Sequence, residues 1–151
     1  MAAQIEILVL NGPNLNMLGI REPAIYGMQT LDDINEQLKV MANDAGRSVA
    51  FFQSNHEGAL IDRIHEAYNN TRIILINAGA LTHTSLALYD AFKAVSIPFI
   101  EVHLSNPSQR ESFRQVSYLT PIALGGIFGF GASSYTLAMQ AALAWLEQKD
   151  V

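Results

Sequence analysis

The 151-residue sequence predicts an α/β protein in which five parallel strands alternate with helices. Two observations predict this class. Short runs rich in β-branched and aromatic residues recur along the chain, and stretches with apolar residues at helical spacing separate them. Strands joined through helices pair in parallel by right-handed crossovers, so we expect one parallel sheet. We expect residues 1–151 to form a single domain, because this length suits one domain.

Five runs are the strand candidates, and three of them are almost wholly apolar. Continuous apolar runs are typical of central strands in parallel sheets, so we expect the first, third and fourth strands to be covered on both faces. The candidate runs are residues 5–10, 49–53, 73–76, 99–103 and 126–130.

Helix candidates lie between these runs, and two of them begin with a capping signal. Thr30 and Asp33 predict a capping box at the start of the first helix, and Ser54 and Glu57 predict a second one. Proline at position 98 stops the third helix, since proline cannot continue one. The predicted helices are about residues 31–45, 57–69, 85–95, 108–115 and 133–149.

The simplest architecture for these elements is a flavodoxin-like, doubly wound sheet with helices on both faces, a three-layer αβα arrangement. Ligands of such sheets bind outside the carboxyl ends of the strands. The residues that follow each strand are therefore the candidates for a functional site.

Composition narrows the classes of function. The formal net charge is −5, so we expect neither nucleic acid nor an anionic membrane surface as a partner. The chain has no cysteine, and its four histidines lack metal-ligand spacing, so no metal site is predicted. A phosphate-binding glycine loop is also missing, which argues against a bound nucleotide or FMN. Without a signal-like start or a long apolar run, the cytoplasm is the expected location.

A long loop, residues 11–27, follows the first strand, where two to six residues are usual. Loops of this length are often lids or binding segments, and this one carries Arg21 and Tyr26. A guanidinium close to a phenol lowers the pKa of the phenol and favours the phenolate, which is a base. The alternative is an ordinary surface loop with a packed tyrosine.

Asn77 and His83 follow the third strand among small residues that would let a ligand approach backbone N–H groups. The amide offers a donor and an acceptor, and the imidazole offers a titratable donor. The alternative is plain helix capping, for which Thr82, Thr84 and Ser85 are all suitable.

Glu101 and His103 end the fourth strand, and strand alternation places them on the same face. A carboxylate beside an imidazole orients the ring and favours its protonated form, which suits a general acid. The alternative is a structural pair at the sheet edge.

Arg110 and Arg114 follow this strand and would clamp a carboxylate, or Arg110 would instead pair with Glu111 or with another protomer. The alternative is that both arginines lie on a charged helix face in solvent.

Five segments resemble the type II 3-dehydroquinate dehydratases. They occur in family order and cover almost the whole chain: LNGPNLNMLGIREPAIYG at 10–27, SNHEGALIDRIHEA at 54–67, INAGALTHTSLALYDA at 76–91, IEVHLSN at 100–106 and RESFRQVSY at 110–118. The resemblance implies a flavodoxin-like fold, a dodecamer built as a tetramer of trimers, and no metal or organic cofactor. It also implies trans-dehydration of 3-dehydroquinate to 3-dehydroshikimate through an enolate, in the shikimate pathway of aromatic amino-acid biosynthesis or in quinate catabolism.

The resemblance implies catalytic roles by position. Tyr26 would remove the C2 proton of the substrate and Arg21 would activate it. Asn14 would hold a water molecule that stabilises the enolate. His103, oriented by Glu101, would protonate the departing hydroxyl.

The resemblance also implies substrate-binding residues. Backbone N–H groups of Leu104 and Ser105 would bind the substrate carboxylate, and His83 and Arg114 would hold ring hydroxyls. Asn77 would bind the substrate, and the carboxylate of Asp90 would come from a neighbouring protomer.

One segment departs from the family pattern. The family usually reads HREPFRHHSY where this chain has QRESFRQVSY at 109–118, with both arginines kept. A non-catalytic binding module for a small anion is therefore the main alternative function. A nucleotide or FMN binder of the same fold is the weaker one.

Overall fold

A computed structural model describes residues 4–20, 22–26 and 28–151, except for the side chain of Tyr26. In the described part, five strands form one parallel sheet in the order β2-β1-β3-β4-β5, the order of flavodoxin-like folds. The strands are β1 Ile7–Asn11, β2 Val49–Gln53, β3 Ile73–Asn77, β4 Phe99–His103 and β5 Gly125–Phe128. The helices are α1 Pro23–Tyr26, α2 Leu31–Asp44, α3 Glu57–Ala67, α4 Leu86–Val95 and α5 Ser133–Lys149.

The sheet lies between two apolar cores, which confirms the three-layer prediction. Strand β1 shows how alternation builds both cores: Ile7 and Val9 pack with α2 and α5, whereas Leu8 and Leu10 pack with α3 and α4. Every residue of β1 and β3 is buried, and β4 is buried up to its last residue. The expectation that these strands are covered on both faces is confirmed. No helix in the described ranges has the length and apolarity that a membrane crossing needs.

The strand register brings polar residues together at one edge of the sheet. Asn11 pairs in register with Asn77, and Ile76, directly before Asn77, pairs with Glu101. His103 ends β4 two residues later. The carboxyl ends of the three central strands therefore present their polar side chains at the same place, as the sequence predicts.

The predicted helix at 108–115 is wrong. The segment contains two single 3₁₀ turns, Pro107–Gln109 and Ser112–Arg114. The amide of Gln115 donates to the carbonyl oxygens of Pro107, Arg110 and Glu111, at 3.1, 3.2 and 3.4 Å. Two of these oxygens also accept backbone N–H groups within the 3₁₀ turns, from Arg110 and Arg114, so the side chain of Gln115 links two separate turns rather than extending one helix.

Of the two predicted capping boxes, the one at Thr30 and Asp33 is confirmed, with reciprocal bonds of 3.1 Å. The one at Ser54 and Glu57 is wrong, because α3 begins after His56 without a side-chain cap. The Ser54 hydroxyl instead accepts from the backbone N–H of His56. Glu57 accepts a hydrogen bond from the Ser85 hydroxyl and so links α3 to the start of α4.

Strand β5 begins one residue before its prediction and ends at Phe128 rather than at position 130. Gly129 ends it, with φ at +96°, a conformation that glycine adopts without strain. The N–H of Gly129 still donates to the carbonyl oxygen of His103 at 3.3 Å, and the N–H of Gly131 donates to that of Leu104 at 2.9 Å. The chain therefore stays beside the end of β4 after the strand ends.

Candidate active site

A pocket opens at the carboxyl ends of the central strands. The loop after β1, the residues after β3, the end of β4 and the two 3₁₀ turns that follow it all contribute to its walls. The lining residues are Pro13, Asn14, Leu15, Leu18, Asn77, Gly79, Ala80, His83, His103, Leu104, Ser105, Pro107, Arg110 and Arg114. In the part of the chain that the structure describes, no three His, Asp or Glu side chains are grouped so that they could hold a metal ion.

The loops after β1 and β3 touch through their backbones. The N–H of Gly12 donates to the carbonyl oxygen of Asn77 at 2.8 Å, and a Cβ at Gly12 would overlap the carbonyl group of Ala78. Gly79 has φ of +60°, and a Cβ there would lie 2.9 Å from the carbonyl oxygen of Pro13. Only glycine at both positions allows this approach, so these residues fix one wall of the pocket.

Asn14 lies on this wall in a left-handed conformation, with φ of +70°. Its N–H donates to the Asn55 side-chain oxygen at 2.9 Å. The amide of Gln53, at the end of β2, donates to that same oxygen and to the carbonyl oxygen of Gly12. The exposed side chain of Asn14 therefore faces the pocket from a backbone anchored to β2.

Asn77 belongs to a buried hydrogen-bond chain beneath the pocket. Its Nδ2 donates to the hydroxyl of Tyr135 at 2.9 Å, and its Oδ1 accepts from the N–H of Gly79 at 3.1 Å. The Tyr135 hydroxyl in turn donates to Asn11 Oδ1 at 2.5 Å. Burial raises the pKa of Tyr135, so the phenol stays a donor. Sequence patterns did not identify Asn11 or Tyr135 as supports of the site.

Glu101 and His103 form the pair that strand alternation predicts. His103 Nε2 lies 2.7 Å from Glu101 Oε2, and the two side chains are 11% and 5% exposed. Burial raises the pKa of Glu101, but hydrogen bonds from His103, Thr120 and Ser117 outweigh it and hold that pKa below its usual value. Ser117 and Thr120 were not among the candidates from the sequence.

His83 lies beside this pair, with its ring stacked near that of His103 at a centroid distance of 6.5 Å. Its Nδ1 is 2.7 Å from the carbonyl oxygen of Val116. A carbonyl oxygen only accepts, so Nδ1 carries the proton and Nε2 of the neutral ring is an acceptor. Helix capping, the alternative interpretation of this segment, is confirmed for Ser85, whose hydroxyl accepts from the N–H of Leu88 at the start of α4.

Arg110 and Arg114 line the pocket with side chains that are 15% and 16% exposed. Arg114 Nε donates to Glu111 Oε1 at 3.0 Å, and Arg110 Nε lies 3.7 Å from the same oxygen. Arg110 Nη1 also donates to the hydroxyl of Ser105 at 3.3 Å. Both arginines therefore lie at the pocket and also lie close to Glu111. They do not form a charged helix face in solvent, which was the alternative.

The remaining candidate residues are Arg21, Tyr26, Asp90, Leu104 and Ser105. Arg21 lies outside the described residues, as does the side chain of Tyr26, so their roles stay predictions. Asp90 is exposed on α4 and does not line the pocket of its own chain. Leu104 and Ser105 do line it, directly after His103.

Comparisons of this chain with known proteins all find dehydroquinases. The sequence model of the Dehydroquinase class II family matches residues 5–143. A 3-dehydroquinate dehydratase from Methylococcus capsulatus is 59% identical over 91% of this chain and 93% of its own length. One from Prochlorococcus marinus is 53% identical over 95% and 99%. The crystal structure of type II dehydroquinase from Butyrivibrio crossotus has a TM-score of 0.88 at 46% identity and covers 91% of this chain and 97% of its own.

Proposed function

Since the chain belongs to the class II dehydroquinase family, we propose that its pocket binds 3-dehydroquinate and that the surrounding side chains carry out the steps of dehydration. The enzyme is a hydro-lyase that converts 3-dehydroquinate to 3-dehydroshikimate, a step of the shikimate pathway. The observation that carries the assignment of roles is the buried Glu101–His103 pair, which lies at the pocket where flavodoxin-like sheets bind ligands.

The first step removes a proton from C2, next to the ketone of the substrate. Tyr26 is the proposed base, and Arg21 is proposed to favour its phenolate form. The electron pair of the broken C–H bond moves onto the ketone oxygen and gives an enolate. A water molecule held by Asn14 donates a hydrogen bond to that oxygen, and such donors stabilise the developing charge. Position in the family pattern and the place of Asn14 on the pocket wall support these roles.

The second step expels the hydroxyl group at C1. His103 is the proposed acid, which protonates the hydroxyl as the C1–O bond breaks, so that water leaves and the double bond forms between C1 and C2. Positioned acids and bases each contribute about 10²–10⁴-fold to such reactions. Support comes from the ring of His103, which lines the pocket and is held by a carboxylate from behind.

Polar groups around the pocket are proposed to hold the substrate. The backbone N–H groups of Leu104 and Ser105 bind the carboxylate of the substrate, and the side chain of Asn77 also contacts the substrate. His83 and Arg114 bind ring hydroxyls, the former as an acceptor through Nε2, because its Nδ1 proton is already given to a carbonyl oxygen.

We propose a dodecamer of four trimers, in which Asp90 of a neighbouring protomer completes each site. The exposed position of Asp90 on α4, away from the pocket of its own chain, supports this arrangement. Mixing subunits tests it. Asp90→Ala and Tyr26→Phe proteins, each inactive alone, should regain activity when their subunits are exchanged, since some sites then combine intact residues. Separate inactivity with no recovery in exchanged oligomers of correct size would count against a shared site.

We also propose that the 151 residues form one catalytic domain. The two ends of the described chain support this, because Ile7 of β1 and Leu146 of α5 belong to the same apolar core. The cytoplasmic location stays a prediction.

The product is a conjugated enone, so ultraviolet absorbance should rise when the purified protein is mixed with 3-dehydroquinate. We expect Tyr26→Phe and Arg21→Ala to lower turnover strongly while substrate binding persists, because the first change removes the proposed base and the second removes the charge that favours its phenolate form. Turnover near that of the unaltered protein in Tyr26→Phe would reject Tyr26 as the base. Saturable binding without any rise in absorbance would favour the non-catalytic binding module.

A further inference from the structure

The carboxylate of Glu101 is held by two hydroxyl groups behind the pocket. His103 Nε2 and the Ser117 hydroxyl reach Oε2, at 2.7 and 2.8 Å, and the Thr120 hydroxyl reaches Oε1 at 2.5 Å. Neither hydroxyl lines the pocket. They are therefore not placed to touch a ligand in the pocket, and Glu101 is the group that connects them to His103.

The direction of the Ser117 hydrogen bond follows from its other partners. Its Oγ accepts the N–H groups of Leu119 and Thr120, both at 3.1 Å. A hydroxyl has one hydrogen to donate and two lone pairs that accept. Both lone pairs are used, so the Ser117 hydrogen is the one that lies between Oγ and the carboxylate of Glu101.

Two hydroxyl donors favour the ionised form of a carboxyl group, because their hydrogen bonds are stronger to the charged form. Burial of Glu101 opposes ionisation, but hydrogen bonds from His103, Thr120 and Ser117 bring its pKa below the usual value. A carboxylate that keeps its charge leaves the proton of the shared hydrogen bond on His103 Nε2. The ring nitrogen that remains for exchange with a ligand is Nδ1.

We propose that Ser117 and Thr120 are positioning residues, which hold Glu101 so that His103 keeps its Nε2 proton and delivers its acid proton from Nδ1. This rests on the proposed role of His103 in the dehydration. The proton moves from Nδ1 to the C1 hydroxyl, the C1–O bond breaks, and water is released. The ring is then neutral with its hydrogen on Nε2, and Glu101 takes up no proton at any step.

The kinetic test removes one hydroxyl at a time. Thr120→Val and Ser117→Ala should each lower kcat about 2- to 10-fold, less than loss of the whole Glu101 charge would, while KM changes little. Thr120→Ser keeps the hydroxyl and should restore kcat. Thr136→Val is the matched control, because the Thr136 hydroxyl donates to a carbonyl oxygen within α5, away from the site. Loss of activity in Thr120→Ser equal to that in Thr120→Val would overturn the proposal.

The spectroscopic test does not depend on activity. Nitrogen-15 spectra of histidine-labelled protein, assigned with a His103→Asn variant, report which nitrogen of the neutral ring carries hydrogen. The intact protein should show hydrogen on Nε2 of His103, and Thr120→Val or Ser117→Ala should show both tautomers. Hydrogen on Nδ1 in the intact protein would overturn the proposal, as would lower kcat in the variants with no change of tautomer. The expected tautomers in a protein that does not dehydrate 3-dehydroquinate would support the positioning role and reject the function instead.

Discussion

Replacing Glu101 by glutamine separates the charge of this residue from its shape. The side chain accepts hydrogen bonds from His103, Ser117 and Thr120. Glutamine can keep all three contacts if its oxygen faces His103 and Ser117 and its NH₂ group donates to a rotated Thr120 hydroxyl. The main change is then the loss of one negative charge next to the ring of His103.

The size of the effect follows from the hydrogen bond between the two side chains. A hydrogen bond to a charged partner contributes about 1.5–3 kcal/mol, and one between neutral groups about 0.5–1.5 kcal/mol. The difference of about 1–2 kcal/mol is what the charge of Glu101 adds to the hydrogen bond that holds the ring of His103 during the acid step. Because about 1.4 kcal/mol corresponds to a factor of ten, kcat should fall about 5- to 30-fold. KM should change little, because Glu101 does not line the pocket.

Initial rates of enone formation, with kcat and KM fitted separately, measure this effect. Glu101→Ala is the companion variant, since it leaves the Ser117 and Thr120 hydroxyl donors without their carboxylate acceptor and should lower both kcat and the thermal midpoint of unfolding. A Glu101→Gln enzyme with the kcat of the unaltered protein would show that the charge has no part in the acid step. A loss of kcat in Glu101→Ala alone would assign the effect to the shape of the side chain, whereas equal losses in the two variants would assign it to the charge.

Three further changes test the supports of the site and the fold. Tyr135→Phe leaves two buried asparagine groups unpaired and should cost about 2–4 kcal/mol of unfolding free energy, measured by denaturant titration with an unchanged m-value. Asp150, paired with Arg47 and Arg72, has a pKa lowered to about 2, so its contribution to stability is present above about pH 4 and lost as the pH falls toward 2. The stability difference between Asp150→Asn and the unaltered protein should therefore shrink over that pH range. Gly12→Ala should destabilise by about 1–3 kcal/mol in thermal unfolding, because its Cβ overlaps a backbone carbonyl group.

Local sequence patterns were sufficient for the sheet and for one pair of site residues. The apolar runs of β1, β3 and β4 predicted strands that are covered on both faces, and the structure buries them. The spacing of Glu101 and His103 predicted a shared face, since successive strand residues alternate. In both cases the decisive interaction is set by residues within a few positions of each other.

The supports behind the pocket depend on contacts that no local pattern reports. Ser117 and Thr120 reach Glu101 across 16 and 19 residues of irregular chain, and Tyr135 reaches Asn11 across 124 residues. The prediction of a helix at 108–115 failed for a related reason, because the side chain of Gln115 links two separate 3₁₀ turns and helical spacing does not report such contacts. Tertiary partners, rather than propensity, decide such segments.

Deuterium exchange at C2 of 3-dehydroquinate tests whether one group removes the C2 proton and His103 protonates the leaving hydroxyl. A His103→Ala enzyme in heavy water should incorporate deuterium at C2 of recovered substrate while forming little enone, because the base is intact and the acid is gone. A Tyr26→Phe enzyme should do neither. A His103→Ala enzyme that forms no enone and leaves C2 without deuterium, while still binding substrate, would contradict the account, because the ring of His103 would then be needed to break the C–H bond.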